Sequence, residues 1–151
     1  MENFKIRKSS AAGTAKNAKS TLEIYDPVRK KYVALTPEEK IRQHTIFFLN
    51  SVLHYPYGCM GVECGLRVDD MFFRTDIVIR NRKAEVVMIV ECKQQEVALT
   101  ESVEQQVLKY FRGYKNARFL LLANGVDMRC WQVSDNMFIQ VDEIPPWKNI
   151  L

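Results

Sequence analysis

Long hydrophobic runs are missing from these 151 residues. The longest apolar stretches, such as Val86 to Val90, fall far short of the roughly 18 residues a membrane span needs, so no transmembrane helix is expected. Residues 1–20 contain no apolar segment of the kind a secretory signal carries, which predicts a cytoplasmic protein. Glycine (6) and proline (5) are too sparse for a collagen-like chain. Nor is the chain short of core-forming residues: 47% are hydrophobic and 26% charged, which excludes wholesale disorder and a coiled coil. The four cysteines, at 59, 64, 92 and 130, form no C-x-x-C pair, and His44 and His54 lie at no finger-like spacing. A zinc site is therefore not expected, and the thiols are read as reduced and buried. No G-x-x-x-x-G-K-[ST] loop occurs, so these residues hold no ATP-driven motor. No internal repeat is visible.

What is present is a slight positive excess, +4 from 22 Lys+Arg and 18 Asp+Glu, which permits a polyanionic partner without demanding one. Residues 1–20 are small, polar and basic and read as a flexible tail; residues 21–151 read as a single domain. Two weakly alternating segments, Leu22 to Tyr25 and Lys31 to Leu35, flank Asp26-Pro27 and predict a short β-hairpin. Thr36-Pro37-Glu38-Glu39 predicts a helix start, with Thr36 as cap, Pro37 at the first helical position and Glu39 where a capping-box carboxylate belongs. Ile41, Thr45, Phe48, Leu49 and Val52 recur at helical spacing behind it. Three strands are expected over Cys59 to Val68, Met71 to Ile79 and Glu85 to Lys93. The last is apolar at every position from Val86 to Val90, as a strand covered on both faces is. A second helix follows Thr100, with Val103, Val107, Leu108 and Phe111 as its buried stripe. Phe119 to Leu122 and Met128 to Val133 then read as strands joined at Asn124-Gly125, a hairpin signal. Met137 to Val141 is a candidate edge strand. The expected fold is α/β, a mixed sheet flanked by helices in the order α-β-β-β-α-β-β, preceded by the hairpin.

The chemistry gathers on two of these strands. Arg74-Thr75-Asp76 precedes Ile77-Val78-Ile79, and Glu91-Cys92-Lys93 ends the strand after it. Strand alternation turns Glu91 and Lys93 one way and Cys92 the other, and a turn at Arg80 to Ala84 brings Asp76 beside them. Two carboxylates and an amine at one sheet edge suit metal-assisted phosphodiester hydrolysis. Magnesium takes one or two carboxylates and keeps waters, and a carbonyl from Cys92 would complete the shell. Solvated charges or plain salt bridges are the competing reading of the same residues. Arg74 and Arg42 fit either phosphate contact or pairing with the carboxylates.

Asp76 followed fifteen residues later by Glu91-Cys92-Lys93 resembles the signature of the PD-(D/E)XK nuclease superfamily. More specifically, the chain resembles the nuclease domain at the N terminus of type I restriction enzyme R subunits. The resemblance covers roughly residues 22–132. It includes Asp26-Pro27-Val28-Arg29, Leu35-Thr36-Pro37-Glu38-Glu39, Arg42-Gln43, Arg74 to Val78, Val90 to Lys93, Gln106-Val107-Leu108-Lys109-Tyr110 and Asn124-Gly125. One departure is Thr75, which stands where the superfamily often has proline. The resemblance implies a restriction-endonuclease-like fold and a magnesium-dependent DNA endonuclease, with manganese as a substitute. Asp76 and Glu91 would bind the metal, Lys93 would be the catalytic lysine, and Glu39 would be the first-helix acid that reaches the metal. Gln106 and Tyr110, with Arg74, would support the site or contact DNA. Implied partners are DNA, other restriction-modification subunits or a motor protein, and a second copy of the chain. A non-catalytic nucleic-acid- or protein-binding module on the same fold is the alternative.

Overall fold

The computed structural model describes residues 4–9, 21–68, 70–111, 113–135 and 137–150; the side chains at 66, 68, 71, 106, 109 and 110 lie outside that description. Among the described residues the chain forms β1 (Ile6–Lys8), β2 (Leu22–Asp26), β3 (Lys31–Ala34), α1 (Pro37–Ser51), β4 (Met60–Val68), β5 (Met71–Arg80), β6 (Val86–Cys92), α2 (Glu101–Phe111), β7 (Phe119–Ala123), β8 (Met128–Ser134) and β9 (Met137–Val141). Short 3₁₀ turns lie at Tyr57–Cys59 and Trp147–Asn149. No described helix is long and apolar enough to cross a membrane.

The strands form a three-stranded antiparallel sheet, β1-β2-β3, and a six-stranded mixed sheet, β4-β5-β6-β7-β8-β9. All neighbours in the large sheet are antiparallel except β6 and β7. That parallel pair needs a crossover, and α2 supplies it. The continuous apolar run of β6 matches its place inside the sheet. Met88, Val90 and Cys92 pack with Ile41, Ile46 and Leu49 of α1. Ile89 packs with Val107 and Phe111 of α2. β7 alternates the same way, with Leu121 toward α1 and Leu120 and Leu122 toward α2. Leu121, Leu122 and Met88 are fully buried, each worth about 1.5–3 kcal/mol relative to exposure.

Three expectations are corrected. The hairpin is a three-stranded sheet, because Ile6–Lys8, read as part of the tail, pairs with β2. Phe4 stacks against His44 and Phe47 of α1, and Arg7 lies 3.8 Å over the Tyr32 ring while pairing with Glu23. Residues 10–20 of that segment lie outside the described residues. The candidate edge strand is present as β9, pairing antiparallel with β8 from Cys130↔Val141 to Ser134↔Met137, so the expected strand order lengthens by one. Helix α1 stops at Ser51, so Val52 serves as its C-cap and is exposed instead of closing the buried stripe. Of the four cysteines, all free, Cys92 and Cys130 are buried and Cys59 and Cys64 are half-buried.

The predicted cap at α1 is present: Thr36 Oγ1 accepts from the Glu39 N–H at 3.0 Å. Asn124-Gly125 also makes its turn, but in a four-residue loop closed by the asparagine side chain. Asn124 Oδ1 accepts from the N–H groups of Val126 and Asp127, and its Nδ2 donates to the Val97 carbonyl. Gly125 has φ +83°, and a Cβ there would stand 2.6 Å from Ile41 Cδ1. The turn is thereby fitted against α1 and tied to the segment after β6.

Candidate active site

The site begins where two strands part. β5 and β6 pair from Arg80↔Val86 to Ile77↔Val90, with a register shift between Ile79 and Arg80, and among the described residues no register pair continues beyond Ile77. β6 runs on against β7 to Cys92↔Ala123, and Lys93 N–H donates to the Ala123 carbonyl at 2.8 Å. The Cys92 N–H therefore faces the gap on the β5 side. The Asp76 side chain fills the place of the missing ladder: its Oδ2 accepts from Cys92 N–H at 2.7 Å. A residue's N–H and C=O point to the same side of a strand, so the Cys92 carbonyl faces this gap too.

Glu91 and Lys93 share a face, as alternation requires, and Lys93 Nζ donates to Glu91 Oε1 at 2.7 Å. Cys92 points the opposite way into the core, its Sγ 3.9 Å from Thr45 Oγ1. Burial, then the nearby Asp76 charge, pushes that thiol well above its ordinary pKa. It is a packing residue and not a nucleophile. Burial and the Asp76 charge also raise the Glu91 carboxyl, against the lowering pull of Lys93. Asp76, Glu91, Cys92 and Lys93 line one cleft of about 380 Å³ with Glu38, Arg74 and Gln94.

Behind the cleft stands a buried arginine. Arg42 of α1 sends Nη2 to Asp76 Oδ1 at 2.6 Å and to Glu38 Oε1 at 2.8 Å, and Nη1 to Glu39 Oε2. Its Nε is buried with no hydrogen-bond partner among the described residues. Burial works against the charge, but the Asp76 hydrogen bond and the Asp76 and Glu39 charges outweigh it, so this guanidinium is held more firmly protonated than usual. Arg29, in the β2–β3 turn, joins Asp26 and Glu39 at 2.5 Å each and Glu63 at 2.7 Å. The two arginines lock the start of α1 to both sheets.

The structure thus brings Asp76, Glu91, Cys92, Lys93 and Arg74 together. It does not bring Glu39 to the cleft. Both Glu39 oxygens are taken from behind by Arg29, Arg42 and Gln43, and Glu38 lines the cleft in its place. Arg74 is exposed, with Glu63 3.6 Å away as a loose partner. Gln106 and Tyr110 fall on α2, but their side chains lie outside the described residues. Trp131 is buried in the core, and Tyr114 is half-buried with its hydroxyl 2.8 Å from Thr75 Oγ1. Sequence reasoning missed Glu38 as a cleft residue, whereas pairing of Arg42 with the carboxylates was one of its two readings and is present. The available signal was their spacing, an acid four residues before an arginine on one helix.

Among the described residues, no group of three or more His, Cys, Asp or Glu forms a metal-holding cluster. Magnesium does not need one, since it uses one or two carboxylates and retains water. The cleft offers Asp76, Glu91 and the Cys92 carbonyl, all hard oxygen donors, and that set fits a hard divalent cation. Residues 37–145, which are 109 of the 151, match the family described as type I restriction enzyme R protein N terminus (HSDR_N). No curated protein matches the chain.

Proposed function

The chain belongs to the type I restriction enzyme R protein N terminus family, and from that premise we propose that it is a divalent-metal-dependent DNA endonuclease domain. The carrying observation is the shared cleft: Asp76, Glu91 and Lys93, from two strands that part beside them, line one cavity. Asp76, Glu91 and the Cys92 carbonyl would hold magnesium, or manganese in its place. A bound ion supplies Lewis-acid polarisation of a phosphoryl oxygen and a lowered pKa for water.

The protein's own groups do the rest. Arg42 and the Cys92 N–H fix the Asp76 carboxylate from two directions, so its remaining lone pairs keep a constant aim. Lys93, held by Glu91, places an ammonium where negative charge builds on the phosphate during attack. Arg74, exposed and lining the cleft, would meet the DNA backbone. Phosphate contacts carry no sequence information, so choice of target would rest with partner subunits of a restriction system.

One observation favours a second reading, a binding module that does not cut. Both Asp76 oxygens already have protein donors. Supercoiled plasmid with added magnesium or manganese separates the two. The nuclease reading expects nicking that Asp76→Asn and Lys93→Met each abolish. Equal DNA retention by all three proteins, with no cleavage at any metal level, would establish the module instead.

A further inference from the structure

We infer that the opposite end of β6 carries a second DNA-contacting surface, a cationic groove that grips the phosphate backbone away from the cleft. The groove, about 800 Å³, lies between two turns that meet at the start of β6. Its cations are Arg82, Lys83, Lys115 and Arg118, all exposed, against Glu85 and Asp135.

Both turns are built. In the first, Asn81 Oδ1 accepts from the N–H groups of Lys83 and Glu85, and Ala84 sits at φ +63° with its N–H on the Asn81 carbonyl. In the second, Ala117 N–H donates to the Tyr114 carbonyl. Arg118 N–H then donates to the Val87 carbonyl at 2.8 Å, which fixes one turn beside the other. The Arg118 guanidinium is steadied by the Ile150 carbonyl at 2.7 Å. Of the two acids, Glu85 accepts from the Asn81 amide at 2.8 Å, and the four cations against two acids leave the groove a formal charge of +2. Positive side chains are therefore presented from fixed backbone.

The charge at the other end argues for what binds here. Three carboxylates, from Glu38, Asp76 and Glu91, line the cleft against the cations of Arg74 and Lys93, which leaves it a formal charge of −1 in the absence of a bound metal ion. Affinity for DNA comes chiefly from cations that neutralise phosphates, so a site of this sign needs a separate source of it. From Val86 to Cys92 the strand spans about 20 Å, so both surfaces share one rigid element. Only the choice of DNA as the polyanion rests on the proposed nuclease activity.

The test is binding of a nonspecific duplex to the full chain in EDTA, where metal-dependent cleavage cannot interfere, across a salt series. The triple variant Arg82→Gln/Lys83→Gln/Lys115→Gln should lose on the order of tenfold or more in affinity near 0.1 M salt and about 2.7 in the log–log salt slope. The charge-conserving variant Arg82→Lys/Lys83→Arg/Lys115→Arg should keep both, which separates lost charge from lost folding. The readout is binding in EDTA, which does not depend on cleavage, so loss of cleavage and loss of gripping stay distinguishable. An unchanged slope in the triple variant overturns the inference, as does a wild-type chain that binds no DNA at low salt. Polyglutamate binding that the triple variant loses, with DNA binding unaffected, would make the groove a seat for an acidic protein segment and overturn it as well.

Discussion

The two ends of β6 hold their charges in opposite ways. At the cleft end the charges are buried and interlocked: the side chains of Arg42, Glu39 and Asp76 are 4%, 6% and 11% exposed and joined in one network. At the groove end Arg82, Lys83 and Lys115 are exposed at the tips of turns. Buried charges cost folding energy unless each is matched, whereas exposed charges cost little and exchange freely with water. Substitution at the first end should therefore disturb stability and chemistry together. Substitution at the second should disturb binding alone.

The sharpest way to break this contrast is through activity. Lys93→Met should lower metal-dependent cleavage by at least about 100-fold while the duplex is still bound in EDTA. Gel quantitation of plasmid nicking beside a binding isotherm reads both quantities, and a loss of binding equal to the loss of cleavage would erase the distinction. Stability comes next. Arg42→Met strands Glu39 and Asp76 without their shared partner and should cost about 3–5 kcal/mol in urea unfolding. A loss under 1 kcal/mol would mean that the network is not what secures α1.

Gly125→Ala tests the turn that leans on α1 near the cleft. Its φ of +83° and the 2.6 Å approach to Ile41 predict a loss of about 1–3 kcal/mol by thermal or urea unfolding. The smallest effect belongs to the exposed charges. Each of Arg82→Gln, Lys83→Gln and Lys115→Gln should shift unfolding free energy by no more than about 0.5 kcal/mol. A larger shift would show that the groove is part of the folding core.

The cleft residues were legible in the sequence because two local signals coincide. An uninterrupted apolar run marked β6 as a covered strand, and charges directly after it had to sit at the strand's end. Asp76 stood the same way at the head of Ile77-Val78-Ile79. The start of α1 was legible from Thr36 and Pro37. What stayed hidden depends on contacts between distant segments. Ile6-Arg7-Lys8 looks like a basic tail until Tyr32 and Glu23 lie beside it. Glu39 occupies the capping-box position, and half of that box forms. Its carboxylate turns inward because Arg29 arrives from the β2–β3 turn, ten residues earlier in the chain. Nothing in the spacing near Glu39 announces that arginine. Glu38 is left facing the cleft, and only the folded geometry tells the two acids apart. The cationic groove was equally hidden, since its residues come from turns more than thirty positions apart.

The central claim is that Asp76 and Glu91 hold one divalent cation between β5 and β6. The most direct measurement is the anomalous scattering of a crystal soaked in manganese. A single ion should lie in the cleft, about 2.0–2.6 Å from oxygens of both carboxylates, and be lost in Asp76→Asn. Empty density there at saturating manganese, with Asp76 still held only by Arg42 and the Cys92 N–H, would contradict it.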